Sequence, residues 1–263
     1  MLLKKFIISL TFFWYLISNT NSIDLDKNLS INEVKPNLFV VTHSFPWSSN
    51  SLIVIMQNND ILLIDTPYTP SATYSLLNWI NKTYGKRNIL AINTHFHIDR
   101  LGGNEALIKS EIPIYSSELT IATIKERGQQ SINLLKSWIK DENIKQYYQN
   151  FKYISPTKIF DSTKGLILNF GNENVEIKYY GIGHSVDNLV VYLPNEKTIF
   201  GGCLILSMDA KEAGNASDGN INDWIKTIEK IDTINYDLII PGHGKEGGIE
   251  LLKYTKNILK ISK

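Results

Sequence analysis

Short apolar runs broken by turn residues set the pattern of the chain from residue 23 onward. Residues 38–41 (Leu-Phe-Val-Val), 52–55 (Leu-Ile-Val-Ile) and 61–64 (Ile-Leu-Leu-Ile) read as buried strands. A loop carrying His43, Phe45, Pro46 and Trp47 separates the first two, and Asn58-Asn59-Asp60 makes a hairpin turn before the third. The period then changes: Tyr74, Leu77, Trp79 and Ile80 form the apolar stripe of a helix, capped by Ser71 and reaching about residue 84. Residues 89–93 return to an unbroken apolar strand, residues 103–109 to a helix, and residues 112–115 to a strand. A polar stretch over residues 118–153 reads as helical, with Leu134, Leu135, Trp138 and Ile139 as its apolar positions. Strands resume at 165–170, 175–180, 188–193 and 198–200. A helix at 223–231, a strand at 238–240 and an amphipathic helix at 249–261 close the chain. Strands then helix, twice over, with no repeat and no linker, predict one α/β domain over residues 23–263: two sheets packed together with helices outside.

Residues 1–22 fall outside that pattern. Lys4-Lys5 precede an apolar run over residues 6–18, and small polar residues follow up to Ser22. This arrangement predicts a secretory signal peptide cut near Ser22, its apolar part too short for a comfortable membrane span. The mature protein is therefore expected in the periplasm or outside the cell, as a monomer with no stable membrane association. A formal charge of +1 among 263 residues gives no electrostatic reason to expect nucleic acid as a partner. The single cysteine, Cys203, has no partner within the chain, which for an exported protein points to a protected or metal-bound thiol.

The candidate chemistry lies at strand ends. Thr94-His95-Phe96-His97-Ile98-Asp99-Arg100-Leu101-Gly102-Gly103 follows the strand at 89–93, placing two imidazoles and a carboxylate at alternating positions on one loop. His184 in Gly-Ile-Gly-His-Ser, Cys203 after Gly201-Gly202, and His243 in Pro-Gly-His-Gly each follow another strand. Any one of these alone is an ordinary packed residue. Glycine-flanked strand ends carrying imidazole, thiol and carboxylate together suit zinc. His43 lacks that setting and reads as a flap or surface residue.

The motifs His95-x-His97-x-Asp99-Arg100-x-Gly-Gly, Gly183-His184-Ser-Val-Asp187-Asn188, Gly201-Gly202-Cys203 and Pro-Gly-His243-Gly resemble those of the zinc metallo-β-lactamases, specifically the broad-spectrum subclass with two zinc ions. The similarity runs from about Leu38 to the C-terminus and includes Ile64-Asp65-Thr66 and Gly214-Asn215. It implies an αββα sandwich. It also implies two Zn²⁺ per chain, one on His95, His97 and His184 and the other on Asp99, Cys203 and His243. The implied activity is hydrolysis of the β-lactam amide of penicillins, cephalosporins and carbapenems, giving antibiotic resistance. Asp99 would orient the water, Asn215 would stabilise the oxyanion, and Asp65 would support the metal loop from beneath. Arg100 would neutralise Asp99 and Cys203 from outside, and Trp47 would contact substrate. Arg100 and Cys203 argue against thioesterases and phosphodiesterases of the same superfamily, which usually carry His and Asp at those positions.

Two departures from the family pattern stand out. Leu206 occupies the position where many relatives place a lysine for the substrate carboxylate, leaving Lys211 or Arg100 for that role. The helical region 124–155 is longer than usual, while the flap, residues 43–51, is short, which weakens the expected grip on bulky side groups. A serine enzyme is excluded: Ser137-x-x-Lys140 and Ser155-x-x-Lys158 have no K-T-G or S-D-N companion. Hydrolysis of another ester, lactone or thioester on the same fold is the alternative enzyme reading, and zinc scavenging the non-enzymatic one. Three ligands per ion leave open positions, which favours catalysis over a closed structural site.

Overall fold

The computed structural model describes residues 22–262; the expected signal peptide, residues 1–22, lies outside them apart from Ser22. Thirteen strands among the described residues form two mixed sheets. The first has the order β1 (Ile23–Asp26), β2 (Leu29–Lys35), β3 (Leu38–Ser44), β4 (Ser48–Ile55), β5 (Ile61–Ile64), β6 (Ile89–Ile92), β7 (Ile114–Ser117), β8 (Lys158–Phe160). It is antiparallel through β5 and parallel from β5 to β8. The second runs β13 (Leu238–Pro241), β12 (Thr198–Gly202), β11 (Val190–Leu193), β10 (Glu173–Lys178), β9 (Leu166–Phe170), with only the β12–β13 pair parallel.

Side-chain alternation explains why the sheets stack. Leu38, Val40, Leu52, Val54, Leu62 and Ile64 point from the first sheet toward Phe170, Val175, Ile177, Val191 and Phe200 of the second. The intervening Phe39, Val41, Ile53, Ile61 and Leu63 point the other way, onto Ala72, Leu76 and Ile80 of helix α1 (Pro70–Tyr84). On the far face of the second sheet, Val190, Ile199 and Ile239 meet Trp224 and Ile228 of α6 (Ile221–Ile231), and Leu251 and Leu259 of α7 (Glu250–Ile261). The result is helix, sheet, sheet, helix: an αββα sandwich, as the strand and helix pattern predicts.

Several boundaries differ from expectation for identifiable reasons. Thr69, not Ser71, caps α1: its side chain accepts from Ala72 N at 3.2 Å, and Pro70 takes the first turn, where its missing N–H costs nothing. The polar stretch after residue 118 is not one helix. It divides into α4 (Glu118–Trp138) and α5 (Glu142–Tyr147), because Asp141 accepts from the backbone N–H of Asn143 and Ile144 and starts a new helix. Strands β1, β2 and β8 were not expected. β2 buries only Leu29 and Ile31 among polar neighbours, too brief an alternation to stand out.

The expected flap is a tight hairpin. β3 and β4 pair through Ser44 and Ser48 and are joined by residues 45–47. His43 is on β3, buried rather than on a flap or surface, and its Nδ1 accepts from Tyr68 N–H at 3.0 Å. A satellite core of Tyr68, Ile98, Ile132, Ile139 and Tyr148, with Phe45 packed against it, joins α4 and α5 to the hairpin and the metal loop.

Candidate metal centre

β6 ends at Ile92, and the chain passes through His95, Phe96 and His97 into a single helical turn, α2 (Ile98–Leu101), then α3 (Asn104–Lys109). Gly102 and Gly103 have ordinary negative φ values of −60° and −91°, so they are not needed for a reversed turn. They permit close approach. A Cβ on Gly102 would lie 2.1 Å from the Tyr68 carbonyl oxygen, and one on Gly103 would lie 1.9 Å from Thr73 Oγ1. The loop is thus pressed onto the chain that follows β5.

Asp65, at the end of β5, anchors the loop from beneath. It accepts from Thr94 N–H at 2.7 Å and Thr94 Oγ1–H at 2.8 Å, and lies 3.3 Å from Arg100 Nη1. Burial pushes its carboxyl up to about 7, against the pull of Arg100 and the Thr94 donors. Leu189 N–H donates to Thr94 O, tying the His184 loop to the same strand end. Asn50 on β4 binds Pro241 O, Gly244 O and, through its N–H, Gly242 O, which fixes the His243 loop. A Cβ on Gly242 would lie 2.7 Å from Cys203 N, so glycine is required where these two loops touch.

The six expected donors converge into one continuous cluster. His95 Nε2 lies 3.1 Å from His97 Nδ1, which lies 3.1 Å from His184 Nε2. Asp99 Oδ2 is 3.2 Å from Cys203 Sγ and 3.1 Å from His243 Nε2, and Cys203 Sγ is 3.3 Å from His243 Nε2. The donor atoms of His95, His184 and Cys203 also lie within 4.8 Å of one another, linking the two halves. Donors held at ~2.0–2.3 Å around a tetrahedral ion are separated by roughly 3.3–3.8 Å, close to these spacings. Burial and neighbouring imidazoles hold the His95 and His184 pKa values well below the ordinary range, so both rings present neutral lone pairs. The residues fit zinc.

Hydrogen bonds from the far side of the rings select the tautomers. His243 Nδ1–H donates to Ser48 O at 2.7 Å, leaving Nε2 toward the cluster. His97 Nε2–H donates to Asp218 Oδ2 at 3.0 Å, leaving Nδ1 toward the cluster. Asp218 Oδ1 in turn lies 3.7 Å from Arg127 Nη1 on α4. The sequence reading missed Asp218. It sits in a polar loop without period, where the only local signal is the turn pair Asp218-Gly219.

Arg100 lies inside, not outside. Its side chain is fully buried beneath the cluster, donating to Asp99 Oδ2 through Nε and Nη2 and to Asn50 O, Ser49 Oγ and Gly242 O. The surroundings of a buried guanidinium must be polar, and here every neighbour is an acceptor. Burial alone would push Asp99 up, but Arg100 overrides it and holds that carboxyl well below the usual carboxylate range. Cys203 stays a high-pKa thiol in the metal-free protein, because burial outweighs the nearby guanidinium.

The remaining candidates make no hydrogen bond to the donors. Asn215 folds back on its own loop: Oδ1 accepts from Ser217 N–H at 3.1 Å and Ser217 Oγ–H at 2.7 Å. Lys211 is exposed on a loop whose Ala210 carbonyl is tied to Tyr254 Oη, with no bond to the cluster. Leu206 turns into the core beside α7, its N–H bonded to Thr255 Oγ1. Trp47 is exposed at the hairpin tip, next to Ser48.

Proteins of known family share this fold. Residues 45–243 match the model of the metallo-beta-lactamase superfamily. A metallo-beta-lactamase type 2 from Bacillus cereus is 31% identical over 238 residues, covering 88% of this chain and 83% of that protein. One from Pseudomonas aeruginosa is 34% identical over 207 residues, covering 77% and 71%. The crystal structure of the DIM-1 metallo-beta-lactamase exposed to ceftazidime superposes with a TM-score of 0.73 at 29% identity, covering 90% of this chain and 98% of that one. The chain belongs to the metallo-β-lactamase superfamily.

Proposed function

We propose that the protein is a zinc-dependent β-lactamase that opens the amide bond of penicillins, cephalosporins and carbapenems. The observation that carries this reading is the convergence of His95, His97, His184, Asp99, Cys203 and His243 at donor spacing; the reading assigns three of these ligands to each of two ions. Relatives named as metallo-β-lactamases across most of the chain support it. When bound, zinc supplies Lewis acidity, lowering the pKa of a water it holds toward ~7 and polarising a carbonyl oxygen.

The chain's own residues do the rest. Asp218 and the Ser48 carbonyl fix His97 and His243 in the tautomers that offer lone pairs to metal. Arg100 takes both of its strong bonds to one oxygen of Asp99, Oδ2, which leaves Oδ1 free to accept a hydrogen bond that orients the attacking water. Asn215 keeps its amide N–H₂ free of the Ser217 bonds, a donor for the charge developing on the carbonyl oxygen. Asp65 keeps Thr94, and with it the His95 loop, in register with β5. The protein acts as a monomer in the periplasm or outside the cell once residues 1–22 are removed; no helix among the described residues is long and apolar enough to cross a membrane.

The test is a substrate panel with zinc-loaded mature protein: a penicillin, a cephalosporin, a carbapenem, an aryl ester, a lactone and a thioester. Turnover of the β-lactams above all others is expected. Turnover confined to an ester, lactone or thioester would replace this reading with the alternative hydrolase, and zinc binding without any turnover would replace it with a scavenger.

A further inference from the structure

The hairpin that carries Trp47 and the helix that ends at Trp138 meet beside the donor cluster. The hairpin is fixed over one half: Ser48 O accepts from His243, and Ser49 Oγ–H donates to Asp99 O at 3.2 Å. α4 borders the other half through Arg127 and Asp218, the carboxylate that holds His97. From Arg127 the helix continues for about 16 Å at its ordinary rise and ends at Trp138. There the Trp138 ring stands 6.5 Å from the Trp47 ring at an interplanar angle of 60°, edge to face. The hairpin is also held from behind. Phe45 meets the edge of Tyr147 at 5.4 Å, and Phe45 O accepts from the buried Tyr148 Oη at 3.1 Å.

Trp47 and Trp138 are nevertheless each 45% exposed, whereas Tyr148 behind them is fully buried. A contacting pair of half-exposed tryptophans at the rim of a site is an apolar surface with room for a partner, and tryptophan gives large contact area at low entropic cost. The short hairpin alone offers one such ring. α4 supplies the second, which gives the lengthened helical region a place in the site.

We propose that Trp138 is a specificity-determining residue: with Trp47 it forms an aromatic subsite that receives the aromatic or large apolar side group of a β-lactam. Trp138 acts both by its own face and by positioning Trp47, so a substrate lacking that group gains nothing from it. The inference rests on the β-lactamase reading.

The test compares zinc-loaded wild type, Trp138→Ala and Trp138→Phe on benzylpenicillin and on 6-aminopenicillanic acid, which lacks the acyl group. An aromatic contact of this kind amounts to about 3- to 10-fold in affinity. Trp138→Ala is expected to raise KM for benzylpenicillin by about that factor at nearly constant kcat, with 6-aminopenicillanic acid unchanged and Trp138→Phe close to wild type. In the metal-free protein, the exciton couplet of a tryptophan pair should be present in the circular dichroism of wild type and absent in both variants. Equal changes on both substrates, no change on either, or a wild type without the couplet would overturn the proposal. A wild type that hydrolyses neither substrate would overturn the β-lactamase reading, and this inference with it.

Discussion

Arg100 donates twice to a single oxygen of its neighbour Asp99: Nε lies 2.9 Å and Nη2 2.6 Å from Oδ2. The remaining donors of the same guanidinium reach Asn50 O, Ser49 Oγ and Gly242 O, and Nη1 lies 3.3 Å from Asp65. One buried side chain therefore ties together the metal loop, the end of β4, the end of β5 and the His243 loop.

Removing it leaves two buried carboxylates without their counter-charge. Arg100→Ala should cost about 3–5 kcal/mol, read as a fall of roughly 10 °C or more in the Tm of the metal-free protein. Arg100→Lys keeps the charge but not the fork, and should recover only part of that loss. A Tm within about 2 °C of wild type for the alanine variant would show that the network contributes little.

Asp218 should matter through His97. Asp218→Ala frees Nε2 and lets the ring choose either tautomer, so zinc affinity should fall by about 10- to 100-fold. Competition against a chromophoric chelator measures this without reference to turnover. Unaltered affinity would mean that packing alone orients the ring.

His43 gives a pH dependence. Burial lowers its pKa to about 4 from an ordinary 6.5, while Asp26 opposes the shift. The folded protein binds this proton less well than the unfolded chain, so the stability it contributes is complete above pH 6.5. That stability is lost as pH falls from 6.5 toward 4, by about 3 kcal/mol at most. His43→Asn keeps an acceptor for Tyr68 N–H and does not titrate, so its urea midpoint should fall less over that window. Parallel midpoints for the two proteins would contradict the assignment.

Gly102 tests the packing of the metal loop. A methyl group there would meet two backbone carbonyl oxygens, those of Tyr68 and Ile98, at 2.1 and 2.7 Å, and backbone cannot turn aside as a side chain can. Gly102→Ala should cost about 3 kcal/mol or more and lower zinc affinity as the loop shifts. A variant with wild-type Tm would show that the loop has slack.

Much of this centre was legible from the chain because its donors sit where strand periodicity stops. His184, Cys203 and His243 each lie beside glycine after a strand, and His95 follows an apolar run, a combination that local sequence exposes. Asp218 was not legible: it belongs to an irregular loop, and its role depends on the distant His97. Arg100 was identified but placed on the wrong side, since adjacency to Asp99 does not reveal that Asn50, Ser49 and Gly242 surround it. His43 was misplaced because it lacks the glycine-flanked strand-end setting, whereas β3 continues to Ser44 and buries it. The break between α4 and α5 had a local signal in Asp141, whose side chain caps the second helix, but surrounding polarity masked it.

We infer that the cluster of His95, His97, His184, Asp99, Cys203 and His243 holds the zinc on which hydrolysis depends. Turnover of a chromogenic cephalosporin by the purified mature protein, followed through dialysis against EDTA and then zinc titration, tests it most directly. Activity should vanish on dialysis and return as zinc is restored, saturating near two ions per chain. Full turnover surviving dialysis, or none in the zinc-saturated protein, would contradict it.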